Sequence, residues 1–197
     1  MRHLPLALLA VMLLSLPCRA AEATAAPFHA EDISNAGGSG YYRLTDTLGQ
    51  SRTPEDFRGS VVLLYFGFTY CPDLCPTALM RLAAVQKRLG AEAAGARVIF
   101  VTLDPDRDTA EVLGSYVPSF GAGFVGLRGS AEATREAARN FKVFFQKFKG
   151  STPDRYTVDH SDFIYVVDAT TRPRLRINSS LSIDQMAEDI RRLIGKP

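Results

Sequence analysis

Apolar residues fall along this chain into short dense runs separated by amphipathic stretches. Residues 61–69 (VVLLYFGFT) form a continuous run of β-formers bounded by Gly59 and Cys71-Pro72. A run this short, without polar alternation, predicts a strand buried on both faces. Residues 97–103 (RVIFVTL) and 163–168 (FIYVVD) have the same character. Residues 124–128 and 174–178 predict shorter strands, and 143–148 a weakly alternating one. A small hairpin is predicted from residues 41–44 and a turn over 46–49.

Between the strands the period becomes helical. Leu79, Leu82, Ala83, Val85, Gln86 and Leu89 make one stripe, with Pro76 at the first helical position and Gly90 as the stop. Asp108-Thr-Ala-Glu111 reads as a capping box opening a second helix toward Tyr116. Ser130 caps a third helix over residues 131–140, and Ser182-Ile-Asp-Gln185 opens a last one toward Ile194. Strand–helix alternation, then a strand pair joined by a turn at 169–173 and a closing helix, predicts one α/β domain. Its central mixed β-sheet should be flanked by helices.

The N-terminus follows a different pattern. Arg2 precedes an apolar stretch over residues 4–16, and small residues follow over 20–26. This is the three-part form of a secretory signal, and the apolar stretch is short for a membrane span. It predicts a signal peptide at 1–20 with cleavage between 20 and 25, after Ala20, Ala23 or Ala25. An uncleaved leader acting as an anchor is the alternative. Cys18 follows Pro17, where a lipobox wants a small residue, which argues against lipidation. Residues 21–40, ending in Gly37-Gly38-Ser39-Gly40, read as a flexible spacer before a domain at 41–197. The expected location is periplasmic, as a membrane-proximal soluble domain.

Composition narrows the function. A hydrophobic content of 46% and a charged content of 22% suit a globular chain with its own core. Removing Arg2 and Arg19 with the leader brings 23 basic residues level with 21 acidic ones. A near-neutral mature chain argues against nucleic acid as a partner. Losing the leader also removes Cys18 and His3, so the folded body keeps Cys71, Cys75 and His160, with His29 in the spacer.

Those three residues carry the chemistry. Cys71 and Cys75 stand at the exit of a buried strand, in Phe66-Gly-Phe-Thr-Tyr-Cys71-Pro-Asp-Leu-Cys75-Pro76. Pro76 disfavours helical geometry before it, which places Cys75 at the helix cap. There the positive end of the helix dipole would favour thiolate. A structural disulfide across so short a loop would remove little entropy from the unfolded chain. His160 precedes the strand at 163–168. In thioredoxin-like folds that loop packs against the active-site cysteines and commonly carries a cis-proline, which is lacking here. Two thiolates and an imidazole suit Cu(I) and also tolerate Cu(II). Asp159 is a candidate to orient the imidazole. Asp104-Pro-Asp-Arg-Asp108 invites a hard-cation reading. A turn with Asp108 as helix cap and Arg107 paired to an acid accounts for it better. Lys142, Lys147, Lys149 and Arg155 form a basic stretch that reads either as a solvated hairpin or as a docking surface for an acidic partner.

The blocks at 65–77 and 101–108, then Phe124-Val-Gly-Leu127 with Gly129-Ser130, then Val158-Asp159-His160-Ser161, together resemble the Sco/SenC family of copper proteins. The resemblance covers roughly residues 40–195 and implies a thioredoxin-like fold. It implies one copper ion per chain on Cys71, Cys75 and His160. The implied role is a metallochaperone, rather than a turnover enzyme, for the copper centre of cytochrome c oxidase. The implied partner is the oxidase's copper-bearing subunit or another copper chaperone. The family often has histidine before the first cysteine, where this chain has Tyr70. The alternative is a thiol–disulfide oxidoreductase that uses Cys71 and Cys75 to keep a partner's copper-ligand cysteines reduced. Such a reductase would not need His160 and usually has two residues between its cysteines. A peroxidase on the same fold would need a threonine three positions before its reactive cysteine, which neither cysteine has.

Overall fold

A computed structural model describes residues 27–150 and 156–195. The residues expected to form a signal peptide with its cleavage sites, and Arg155, lie outside them. The strands are β1 (Glu31–Asp32), β2 (Leu44–Asp46), β3 (Ser51–Arg52), β4 (Val61–Gly67), β5 (Ala96–Thr102), β6 (Val125–Arg128), β7 (Phe145–Lys149), β8 (Tyr156–His160), β9 (Ile164–Val167) and β10 (Pro173–Ile177). The helices are α1 (Leu74–Leu89), α2 (Ala110–Tyr116), α3 (Ala131–Asn140) and α4 (Ile183–Arg191).

One mixed sheet organises the molecule, in the order β1-β10-β9-β4-β5-β6-β2-β3. β4 pairs in parallel with β5 and antiparallel with β9. It is therefore covered on both edges and both faces, and all its residues are buried. Each fully buried large apolar side chain here contributes about 1.5–3 kcal/mol. The alternation of side chains divides them between two layers. Tyr65 faces α1, whereas Phe66 packs on Phe141, just past α3, with ring centroids 5.5 Å apart. α1 and α4 lie against each other on the first face, tied by Arg88 Nε to Asp184 Oδ1 at 2.5 Å. This is the α/β architecture that the pattern of runs predicts, and it agrees with the thioredoxin-like fold that the family resemblance implies.

The flexible spacer does not hold over its whole length. Ala30 is buried, and β1 adds to the sheet edge through Glu31↔Arg176 and Asp32↔Leu175. The buried Asp189 carboxylate accepts from the amides of His29 and Ala30, at 3.1 and 2.8 Å. Alanine-rich composition suggested a tether, but Phe28 and Ile33 pack on the core and hold the segment down. The domain thus begins before residue 41.

β8 is a strand where the sequence suggested a loop. It pairs antiparallel with β7 to form a two-stranded ribbon outside the main sheet. Only Val158 of β8 is buried, so its apolar signal is weak. The ribbon sets the position of His160.

Candidate metal centre

The strand β4 ends at Gly67, and the chain crosses the end of the sheet before entering α1. The loop is held from below. The buried Asp108 carboxylate accepts from the Thr69 amide (3.0 Å), the Thr69 hydroxyl (2.6 Å) and the Thr102 hydroxyl (2.5 Å). This corrects the expected helix cap: Thr109 caps α2, accepting from the Val112 amide at 3.3 Å. Burial raises the pKa of Asp108 despite its three donors.

The start of α1 also differs from expectation. Asp73 is the cap residue, and Leu74, Cys75 and Pro76 form the first turn. The first intrahelical bond runs from the Thr77 amide to the Asp73 carbonyl, at 3.1 Å. The amides of the cap and the next three positions have no partner within a helix, so proline at the third costs no hydrogen bond. Cys75 therefore lies inside the helix, fully buried, with its sulfur against Gly67. A Cβ on Gly67 would come within 2.7 Å of that sulfur and 3.0 Å of the Phe100 and Tyr65 rings.

Both cysteines are free thiols. The helix amide polarises Cys71 rather than Cys75, because the Cys75 N–H donates to Cys71 Sγ at 3.4 Å. The Cys75 thiol also donates to Cys71, which lowers the Cys71 pKa well below the ordinary thiol range. The same bond, with burial, raises that of Cys75. Half-buried Cys71 is thus the thiolate, and Cys75 holds the proton.

His160 closes the group from the end of β8. Its Nδ1 lies 3.0 Å from the Ser161 carbonyl, which can only accept, so Nδ1 carries the hydrogen. The other nitrogen, Nε2, faces Cys75 Sγ at 3.5 Å. Tyr65 and Phe68 meet the imidazole edge-on, with centroids 6.1 and 6.0 Å away. Burial disfavours imidazolium, but the Cys71 thiolate and the Ser161 carbonyl outweigh it, and the pKa rises above the ordinary value. The donor atoms of Cys71, Cys75 and His160 all lie within 4.8 Å of one another. Among the described residues no second group of this kind occurs, and Asp104, Asp106 and Asp108 do not form one.

Asp159 does not orient the imidazole. It is exposed, opposite Gln146 in the ribbon, and the Ser161 carbonyl holds the ring instead. Alternation along β8 points residue 159 away from the face that residue 160 uses. The acid on the site's side is Asp162, whose Oδ1 accepts from the Tyr65 hydroxyl at 2.9 Å.

Asp104 anchors the ribbon to the main sheet. Its fully buried carboxylate receives Arg107 Nε at 2.5 Å, Lys147 Nζ at 2.8 Å and the Tyr156 hydroxyl at 2.6 Å. The Arg107 guanidinium lies 3.7 Å above the Tyr156 ring and 4.8 Å from that of Tyr70. With two cations and a hydroxyl already on it, the Asp104 carboxylate is neutralised within the chain and has little charge left to attract a further cation. Lys147 also reaches Asp106 at 2.7 Å, so the basic stretch is partly neutralised within the chain. Lys142 is taken up as well, by the carbonyl of Ala36.

A dithiol with one sulfur buried and the other half-buried, facing an imidazole nitrogen at the end of a mixed sheet, defines a candidate soft-metal site. The SCO1/SenC family model matches residues 30–195, and the chain belongs to that family. It is 40% identical over 162 residues to the mitochondrial SCO2 homolog of Mus musculus, covering 81% of this chain and 64% of that protein. The chain spans 56–64% of the length of the animal mitochondrial relatives it matches. Bradyrhizobium japonicum ScoI, solved with copper bound, is 31% identical with a TM-score of 0.73, covering 80% of this chain and 99% of that one. Apo Sco1 from Thermus thermophilus is 36% identical with a TM-score of 0.76, covering 85% and 97%.

Proposed function

We propose that this chain is a copper metallochaperone that takes up one copper ion, as Cu(I) or Cu(II), on Cys71, Cys75 and His160. It passes the ion to the copper-bearing subunit of cytochrome c oxidase or to another copper chaperone. The convergence of the three donor atoms carries this reading. Soft sulfur donors and one imidazole suit copper in both oxidation states. Family membership supports the destination, since the Sco proteins are cytochrome c oxidase assembly proteins. The reading includes export to the periplasm, with residues 1–20 as a signal peptide cleaved between 20 and 25. No helix among the described residues is long and apolar enough to cross a membrane.

The uneven protonation of the site makes copper uptake pH-dependent. Cys71 is already thiolate and contributes no proton. Cys75, with its raised pKa, is protonated through the neutral range, so copper must displace one proton there. Affinity should therefore rise by about tenfold per pH unit near neutrality. Toward lower pH, His160 also becomes protonated, and the slope should steepen. Competition titrations against a copper chelator at several pH values measure this. An affinity independent of pH would contradict the assignment of Cys75 as the proton holder.

A specific observation also favours the oxidoreductase reading. Half-buried Cys71 accepts from the Cys75 amide at 3.4 Å, which favours its thiolate, and the buried Cys75 thiol stands beside it, the arrangement of an attacking and a resolving sulfur. The two activities use the same pair, because only the reduced pair can hold metal. Deleting the gene tests the proposal. The oxidase should then assemble without its copper centre, and the cloned chain should restore it, with a mature N-terminus between residues 21 and 26. Normal oxidase copper in the deletion strain would overturn the proposed function.

A further inference from the structure

The hydroxyl of Tyr65 needs a reason. It sits mid-strand in β4, fully buried. Its neighbours Phe66 and Phe68 are equally buried without any polar atom. Phenylalanine would pack as well at position 65. A buried hydroxyl costs free energy unless it is bonded. Here it donates to Asp162 Oδ1 at 2.9 Å. Burial raises the pKa of this hydroxyl, and the nearby Cys75 sulfur raises it further. Independent geometry places the two side chains together. Cys75 Sγ and Tyr65 Cε1 lie 2.7 and 3.0 Å from the one point where a Gly67 Cβ would stand. The same ring meets the His160 imidazole edge-on, and Asp162 lies two residues beyond His160.

We propose that Tyr65 and Asp162 form an outer pair that sets the electron-donating strength of the Cys75 sulfur, and so the balance between Cu(I) and Cu(II). The proposal rests on Cys75 being a copper ligand. Once copper has displaced its proton, the Cys75 sulfur is an acceptor, and the only proton the pair offers is the Tyr65 hydroxyl's. Asp162 competes for that proton. A hydrogen bond on a coordinated thiolate withdraws electron density from sulfur. It thereby weakens donation to Cu(II) more than to Cu(I), because the more highly charged ion depends more on that donation. Outer hydrogen bonds of this kind commonly change metal affinity by 10–100-fold.

Two substitutions should act in opposite directions. Tyr65→Phe removes the donor and keeps the ring. Its sulfur-to-Cu(II) charge-transfer band should move to lower energy, and the ratio of Cu(I) to Cu(II) affinity should fall about tenfold. Asp162→Asn keeps the shape but weakens the competing acceptor. The band should move to higher energy, and the ratio should rise. The readouts are absorption spectroscopy and competition titrations on purified full-length protein, so delivery to any partner is not needed. A purely structural role for the hydroxyl would lower the unfolding midpoint of both variants and leave the band in place, and that outcome overturns the proposal. Shifts of the same sign in both variants also overturn it. Wild-type protein lacking any thiolate charge-transfer band would instead remove the copper site itself, a failure distinguishable from the other two.

Discussion

Replacing His160 by alanine is expected to lower copper affinity by more than about 100-fold while leaving the dithiol intact. Loss of an outer partner costs roughly 10–100-fold, and His160 supplies a donor atom directly. In the wild type its Nε2 is already aimed at the site, because the Ser161 carbonyl holds Nδ1–H at 3.0 Å. The variant retains both sulfurs, and the Cys75 amide still donates to Cys71. It should still cycle between dithiol and disulfide, since exchange depends on thiolate character and access. Copper titration and thiol oxidation measured on the same preparation separate the two activities. Cys71→Ser and Cys75→Ser should abolish both. If a folded, exported His160→Ala variant still supports oxidase assembly and Cys71→Ser does not, the chain works as a reductase.

Gly67→Ala should have the second largest effect, although the residue bears no donor. The added Cβ would stand 2.7 Å from Cys75 Sγ and 3.0 Å from two aromatic rings, all in the packed layer between β4 and α1. Overpacking of this kind costs about 1–3 kcal/mol. The sulfur is the least restrained of the three neighbours, because a rotation about one bond moves it. We expect it to swing away from His160, so copper affinity should fall about tenfold or more beyond the loss of stability. Denaturation midpoints and copper titrations are to be compared with wild type. A Gly67→Ala protein with wild-type affinity would show that Cys75 does not need its place under β4.

The strands of the main sheet were legible because their burial is reported directly by apolar runs. β4, β5 and β9 fall within a residue or two of the runs at 61–69, 97–103 and 163–168. α3 and α4 begin at the caps expected from Ser130 and Ser182. What escaped detection depends on contacts between distant residues. β1 is short and exposed, and it is held by Asp189 in the last helix. β8 exposes most of its side chains, so alternation gave little signal. At the site, Cys71, Cys75 and His160 were legible from residue type and position, and the structure brings them together. The roles around them were not. Asp159 was favoured by adjacency in sequence, whereas strand alternation puts it on the far side. Asp162 lies two positions along and faces the site. Asp108 looked like a cap because a capping-box pattern follows it, but Thr109 supplies the cap and frees Asp108 to hold the Cys71 loop. The thiolate was assigned to Cys75 on the strength of Pro76. A helix that starts two residues before the proline moves the polarising amide onto Cys71.

X-ray absorption at the copper edge, on reduced full-length protein loaded with copper and freed of excess, tests the copper site most directly. One copper per chain should be found, with two sulfur neighbours and one nitrogen, and the nitrogen shell should disappear in His160→Ala. A shell of nitrogen and oxygen alone, or copper that the wild type fails to retain, would contradict a site built on Cys71, Cys75 and His160.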